Sequence, residues 1–133
     1  MKTIFLLFFI LISSLVAKVE WTDMFDVYDE AQDSDKIVMV MLSRKKCPGC
    51  EFMHTVVFED KHVDKLLKDG YLCVDIDIDV DEGFVPIKFE YFASPTFYFL
   101  DKNEKILKRI NGGLHTQDFI QILNKIKKYK EKD

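Results

Sequence analysis

An apolar run at residues 37–42 is followed closely by the tetrapeptide Cys47-Pro48-Gly49-Cys50. The run predicts a buried strand, and residues 48–57 predict a helix whose first turn holds the proline, where a missing N–H does no harm. Cys47 then lies at a helix N-terminus, where unpaired N–H groups and the helix dipole favour a thiolate. Two thiols in this context predict a dithiol redox site, although the spacing alone also supplies half of many zinc sites.

The spacing of apolar residues predicts a series of further helices and strands. The predicted order is a helix at 21–32 capped by Thr22, a strand at 36–42, helices at 48–57 and from Asp60 to Gly70, a strand at 71–80, a turn or short helix at 86–92, strands at 97–100 and 105–110 joined by a hairpin, and a last helix capped by Thr116. This alternation, which ends in an antiparallel pair, predicts an α/β fold. We expect a central mixed sheet of four to five strands with helices on both faces.

The first 17 residues are typical of a secretory signal peptide. Lys2 precedes an apolar run at residues 4–12, and small residues lead to Ala17 before the charged Lys18. We expect cleavage after Ala17, a mature domain at residues 18–133, and a periplasmic or secreted protein. The alternative is an uncleaved anchor, although the apolar run is shorter than the roughly 20 residues that span a bilayer.

Charge and cysteine content narrow the classes of function. The formal net charge of −4 argues against general nucleic-acid binding, and the basic residues 125–132 continue an amphipathic helix as its solvated face. Three cysteines make a poor disulfide framework, so we expect Cys47 and Cys50 to serve chemistry rather than scaffolding. Contact with a membrane is expected only through the signal peptide.

Several of these features together resemble the thioredoxin superfamily: the strand before the two cysteines, Ser94-Pro95-Thr96 before another strand, the hairpin, and Gly112-Gly113 before the last helix. The resemblance covers residues 19–130. Trp21 and residues 57–60 are most similar to secreted thioredoxin-like domains, such as the periplasmic C-terminal domain of the thiol:disulfide interchange protein DsbD. The resemblance implies a thioredoxin-like fold and a thiol:disulfide oxidoreductase.

The resemblance also implies the roles of individual residues. Cys47 is the expected nucleophile and Cys50 the resolving thiol, and their redox-active disulfide leaves no need for another cofactor or a metal. Pro95 is the expected cis-proline, and the backbone of Ser94 is expected to pair with an extended substrate segment. The full set of expected substrate-binding residues is Pro48, Gly49, Ser94, Pro95 and Thr96.

Two positions depart from the thioredoxin pattern. A buried aspartate usually lies six residues before the first cysteine, where this chain has Met41, and its lysine partner on the next strand aligns with Asp75. We therefore predict that Asp75 accepts the proton of Cys50; the alternative is a solvated aspartate on a strand. The aromatic residue that usually precedes the first cysteine is replaced by Lys46.

Positive charges come directly before the first cysteine. Arg44, Lys45 and Lys46 are predicted to favour the thiolate of Cys47, with a solubilising loop as the alternative because exposed charges are screened.

Some residues outside this motif have two open interpretations. Cys73 is expected to be an inert buried thiol, with a resolving or regulatory role as the alternative. The aromatic residues before Pro95 either fill the core or form a rim that faces the substrate; they are Phe84, Phe89, Tyr91 and Phe92.

The expected function is that of a thiol:disulfide oxidoreductase of the cell envelope, which reduces or exchanges the disulfides of client proteins. A membrane electron donor of the thiol:disulfide interchange type is an implied partner, because an oxidising space supplies no reductant. The alternatives are a dithiol oxidase or isomerase, and a specialised reductant for cytochrome c maturation. A non-redox alternative is zinc or copper bound by Cys47, Cys50 and His54, with His62 or Cys73 as a fourth ligand.

Overall fold

The computed structural model describes residues 17–81, 85, 86 and 88–132. Its helices and strands are, in chain order, α1 (Val27–Ser34), β1 (Ile37–Ser43), α2 (Pro48–Phe52) continued by a π-helical turn (Met53–Val57), α3 (Lys61–Gly70), β2 (Tyr71–Asp77), β3 (Thr96–Leu100), β4 (Ile106–Asn111) and α4 (Thr116–Lys130). The signal peptide predicted at residues 1–17 falls almost wholly outside the described residues. No helix within the described ranges is long and apolar enough to cross a membrane.

The four strands form one mixed sheet in the order β2-β1-β3-β4. The central strand β1 runs parallel to β2 and antiparallel to β3, and β4 is antiparallel to β3. Every residue of β1 is buried, because this strand has a neighbour on each edge and helices on each face. The predicted mixed sheet is therefore confirmed, with four strands.

Alternating side chains of β1 divide the core into two layers. Met39 and Met41 face the layer that also contains buried residues of α3, α4 and the helix beginning at Pro48. Val38 and Val40 face the second layer, where α1 contributes its buried residues. Successive side chains of a strand point to opposite faces of the sheet, which produces this division. Because helices pack on each face, the prediction of helices on both faces is confirmed.

The prediction for residues 21–26 was wrong. The first helix begins only at Val27, and Thr22 does not cap it. Trp21 instead forms an isolated parallel bridge with Cys73, and the N–H of Thr22 donates to the Cys73 carbonyl at 2.7 Å. The apolar spacing resembled a helix, but hydrogen bonds to the edge of β2 hold Trp21 and Thr22 along that strand, and residues 24–26 form a turn before the helix.

The predicted caps had different outcomes. The side chain of Asp60 accepts hydrogen bonds from the N–H groups of His62 and Val63 at 2.9 and 3.0 Å, which confirms it as the cap of α3. Thr116 is the first residue of α4 rather than its cap. His115 occupies the cap position there, without a capping hydrogen bond from its side chain.

Strand β2 ends three residues before its predicted end. Asp77 closes a turn, because its carboxylate accepts from the N–H of Asp79 at 3.0 Å and its carbonyl accepts from the N–H of Asp81 at 2.7 Å. Val80, which the alternation placed on the buried face, is 64% exposed. Local aspartate hydrogen bonds thus compete with continuation of the ladder.

We expect the replacement of Phe119 in α4 by alanine to lower the free energy of unfolding by about 3–5 kcal/mol. Phe119 is fully buried, with its ring centroid 5.8 Å from that of Phe58 and 5.7 Å from that of Phe97. Urea titration measures the change. Phe25→Ala, at a side chain that is 78% exposed, is the control and should shift the same quantity by about 0.5 kcal/mol or less. Equal losses in both variants would contradict the assignment of Phe119 to the core.

Candidate active site

A disulfide joins Cys47, which directly precedes α2, to Cys50 in the first turn of that helix. Cys47 has extended backbone angles and is the N-cap of α2, and its sulfur accepts a hydrogen bond from the N–H of Cys50 at 3.1 Å. Cys47 is half-buried, whereas Cys50 is only 5% exposed. The two sulfurs therefore differ in access: a second molecule reaches Cys47 more easily than Cys50.

Three loops meet beside the disulfide. The Ser94–Pro95 peptide bond is cis, and the Pro95 carbonyl accepts from the N–H of Gly112 at 2.7 Å. A Cβ on Gly49 would lie 3.1 Å from Cδ of Pro95 and 3.9 Å from the backbone N of Gly113. The space beside Gly49 is thus filled by the protein itself, so this glycine permits the loops to approach each other.

The hydroxyl of Ser94 contacts the buried sulfur. Ser94 Oγ lies 3.2 Å from Sγ of Cys50. A disulfide sulfur carries no hydrogen, so the hydroxyl is the donor in this oxidised state. The sequence prediction included Ser94 only for its backbone. The side-chain contact depends on a cis turn and a helix that are far apart in the chain, and no local pattern reveals it.

Thr96 does not offer its side chain to a substrate. It is fully buried, and its Oγ1 donates to the carbonyl of Ala93 at 2.6 Å. The expected role of Thr96 in substrate binding stays a prediction, and with its side chain buried it falls to the backbone. Its hydroxyl closes the turn that carries Ser94 and Pro95, and Pro48 is the expected substrate-binding residue that stands exposed.

The three basic residues before Cys47 have different surroundings. The Arg44 guanidinium donates to Asp79 from Nε at 3.2 Å and from Nη2 at 2.9 Å, and the backbone N–H of Lys45 donates to the same carboxylate at 2.8 Å. The Arg44 hydrogen bonds, followed by that from Lys45, hold the pKa of Asp79 below its usual value. Lys46 is exposed and has a left-handed backbone with φ of 52°.

Asp75 lies beside Met41 in the register of β1 and β2. One of its carboxylate oxygens accepts from Ser43 Oγ at 2.7 Å, and the other lies 3.0 Å from Nε2 of His54. Within the part of the chain that the structure describes, no hydrogen bond joins Asp75 to Cys50. Asp75 is therefore held by two partners rather than merely solvated, and its role as the proton acceptor for Cys50 stays a prediction.

His54 lies one helical turn beyond Cys50 and packs in an aromatic cluster. Its ring centroid is 5.6 Å from that of Trp21 and 5.4 Å from that of Phe58. Its Nε2 faces Asp75 rather than the two cysteine sulfurs. Among the described residues, no group of three or more His, Cys, Asp or Glu side chains is arranged to hold a metal ion.

Comparison with known proteins identifies the family. A family model described as a thioredoxin-like domain matches residues 24–127. The chain belongs to the thioredoxin-like family. With its Cys47–Cys50 disulfide, this thioredoxin-like protein is a thiol:disulfide oxidoreductase. No curated protein sequence matches it.

Solved structures share the thioredoxin-like fold at low sequence identity. The DsbH oxidoreductase is 14% identical, with a TM-score of 0.64 over 84% of this chain and 85% of that one. A thioredoxin from Thermus thermophilus is 23% identical, with a TM-score of 0.64 over 81% of this chain and 86% of that one. A disulfide-isomerase candidate from Bacteroides thetaiotaomicron is 15% identical, with a TM-score of 0.65 over 84% and 93% of the two chains.

The remaining candidates of the thioredoxin-like site fall into buried and exposed groups. Cys73 is buried, and desolvation raises the pKa of its thiol to about 12. Phe89 is also buried and stacks on Tyr98, whereas Tyr91 is exposed and Phe92 is 80% exposed. Phe84 lies outside the described residues. Tyr91 and Phe92 are thus the aromatic residues available at the surface before the cis-proline.

We expect Ser94→Ala to slow the attack of Cys50 on a mixed disulfide at Cys47. A hydrogen bond to a charged group contributes about 1.5–3 kcal/mol, so without it a smaller fraction of Cys50 is the thiolate near pH 7. The more basic thiolate is also more nucleophilic, which limits the net loss of rate near pH 7 to about threefold. Stopped-flow release of the second coloured thiol from a symmetric aromatic disulfide measures this step.

Ser94→Thr retains a hydroxyl and is the matched control, so it should restore both the rate and the midpoint of its pH profile. The first thiol, released when Cys47 attacks, should leave at an unchanged rate in all three proteins. A pH midpoint for the second step that is the same in Ser94→Ala as in the unmodified protein would refute the assigned role of the hydroxyl.

Cys73 should resist alkylation while the protein is folded. With a pKa of about 12, against 9.0 for an unperturbed thiol, only about one folded molecule in 10⁴ carries the thiolate at pH 8. In Cys47→Ser/Cys50→Ser, iodoacetamide should therefore modify Cys73 at least about a hundredfold more slowly in buffer than in urea. Folding favours the protonated thiol, so its contribution to stability is complete below pH 9 and is lost as the pH rises toward 12. Similar alkylation rates in buffer and urea would contradict the burial.

Proposed function

We propose that this protein reduces or exchanges the disulfides of client proteins in the cell envelope, through the dithiol of Cys47 and Cys50. The observation that carries the proposal is the contrast between an accessible Cys47 at the start of α2 and a buried Cys50 that contacts the cis-proline loop. One sulfur meets the client, and the other is held within reach for the second step.

The reaction begins when the Cys47 thiolate attacks a client disulfide. A bond forms between Cys47 Sγ and one client sulfur, the client S–S bond breaks, and the other client sulfur leaves and takes up a proton. Cys50 then gives its proton to a nearby base and attacks Cys47 Sγ. The bond between the two protein sulfurs forms, the bond from Cys47 to the client breaks, and the departing client thiolate takes up a proton in place of the one that Cys50 lost. Two electrons pass from the protein dithiol to the client, and the Cys47–Cys50 disulfide remains.

Several other residues support these two steps in the proposal. The basic segment that ends at Lys46 favours the Cys47 thiolate, and Ser94 donates to Cys50. Pro48 and the loop of Ser94 and Pro95 offer the surface beside which a client segment lies. Asp75 accepts the proton that Cys50 loses in the second step, from a carboxylate that Ser43 and His54 hold in place.

The proposed location and partners follow from the sequence. Residues 1–17 direct export and are removed, leaving the thioredoxin-like domain at residues 18–133. Each turnover leaves the site oxidised, so a membrane thiol:disulfide donor must return two electrons to it. No other cofactor and no nucleic acid takes part in the proposed reaction.

The same site can also work in the oxidising direction. A dithiol oxidase or isomerase, or a reductant dedicated to cytochrome c maturation, would use the same two cysteines. Metal binding by Cys47, Cys50 and His54 is the non-redox alternative, in which Nδ1 of His54 would be the ligand because its Nε2 faces Asp75.

We predict a reduction potential for Cys47–Cys50 near that of thioredoxin, about −270 mV, rather than near that of DsbA, about −120 mV. Equilibration with a series of glutathione ratios, followed by thiol trapping, measures it. Reduction of a model protein disulfide should be abolished in Cys47→Ser and retained in Cys73→Ala. A potential near that of DsbA would overturn the reductive direction and support the oxidase.

Location and mechanism have separate tests. Fractionation of cells that express the full chain, with the mass of the mature N-terminus, tests export and cleavage after Ala17. Recovery of the full-length mass in a membrane fraction would favour the anchor instead. Cys50→Ser should accumulate client proteins as mixed disulfides on Cys47, because the second attack is removed.

A further inference from the structure

An unpaired cation lies next to the accessible cysteine. Lys46 directly precedes Cys47, and its side chain is exposed. Among the described residues, no hydrogen bond or ion pair engages its ammonium group. Arg44, two residues earlier, is instead bound to Asp79. The charge of Lys46 is therefore available to a molecule that approaches Cys47.

Three cations stand against one carboxylate in the segment 44–51 that contains the two cysteines. The carboxylate of Asp79 is held by Arg44 and by the Lys45 backbone, and it also feels the charge of Lys45. Glu51, in the first turn of α2, is the acidic side chain closest in sequence to the cysteines, and it forms no ion pair within the described ranges. The chain as a whole carries −4, so a local excess of cations here is a departure from its general charge.

The basic segment and the cis-proline loop lie on opposite sides of the disulfide. The Lys45 backbone is bound to Asp79, which follows β2, whereas Ser94 and Pro95 lead into β3. Strand β1, which leads to the disulfide, lies between β2 and β3 in the sheet. A client segment that lies beside Pro95 therefore has Cys47 between itself and the basic segment that contains Lys46.

We propose that this site acts preferentially on client disulfides that have an acidic side chain next to the cysteine. The inference rests on the proposed function and names its substrate class: polypeptide disulfides flanked by Asp or Glu. Lys46 attracts the carboxylate and raises the rate at which Cys47 meets the client. The two-electron exchange itself is unchanged, and the preference weakens as salt screens the charges.

The preference is distinguishable from an effect on the Cys47 thiolate. A cation that only stabilises the thiolate changes the rate with every disulfide by the same factor. A cation that also selects the client changes the ratio between acidic and basic clients. The ratio is therefore the quantity to measure.

The experiment uses pre-reduced protein and three peptide disulfides that differ only in the residue beside cysteine, which is Glu, Gln or Lys. Single-turnover rates are divided by the rates of the same peptides with dithiothreitol, whose reacting thiolate has no cation beside it, which removes differences in intrinsic reactivity. We expect the normalised rates to fall from Glu to Gln to Lys, by about fivefold in total at low ionic strength. In 0.5 M salt the ratio should approach one.

Three variants locate the preference. Lys46→Gln should bring the Glu-to-Lys ratio close to one, and Glu51→Gln should increase it. Lys125→Gln, which removes an exposed lysine from α4, is the matched control and should leave the ratio unchanged.

The preference is overturned if the Glu-to-Lys ratio is near one in the unmodified protein, or if Lys46→Gln does not lower it. In either case, reduction of the Gln peptide leaves the proposed function standing. Failure to reduce any of the peptides overturns both.

Discussion

The active site depends on the contact between Gly49 and Pro95. A Cβ at residue 49 would lie 3.1 Å from the proline ring, a distance that real Cβ atoms seldom show, and Gly113 lies just beyond. The absence of a side chain therefore lets the start of α2 and the cis-proline loop come together. This approach brings Ser94 within 3.2 Å of the buried sulfur. A larger residue at position 49 would disturb the helix start and the loop at once.

The buried thiol shows how this chain differs from the thioredoxin pattern. Met41 makes the surroundings of Cys50 apolar at the position where a carboxylate is usual, and burial disfavours a thiolate. Asp75 stands on the neighbouring strand, but Ser43 and His54 already hold its oxygens. The Ser94 hydroxyl is then the polar group in direct contact with Cys50. In the oxidised site the side-chain contact of Cys50 is thus a hydrogen-bond donor.

Local patterns predicted most of the fold, and long-range contacts account for the errors. The central strand, the cap of α3 by Asp60 and the buried face of α4 follow from residues close in sequence. The extended segment at Trp21 depends on hydrogen bonds to Cys73, about fifty residues away. The motif likewise predicted the disulfide, and the family resemblance implied the cis-proline, whereas the partners of Asp75 come from separate elements. Helical spacing at 21–26 carried no information about that distant edge.

Charge discriminates among client disulfides at this site more strongly than shape does. Lys46 and Pro48, on either side of Cys47, are exposed, so the surface beside the disulfide does not enclose a client. A half-buried sulfur between exposed residues contacts few client atoms, and a small contact area discriminates poorly by packing. A long-range interaction acts before that contact forms, and Lys46 provides one next to Cys47. An aromatic residue at position 46 would add apolar contact area, whereas Lys46 adds a positive charge. That charge distinguishes clients that have similar shapes but different charges.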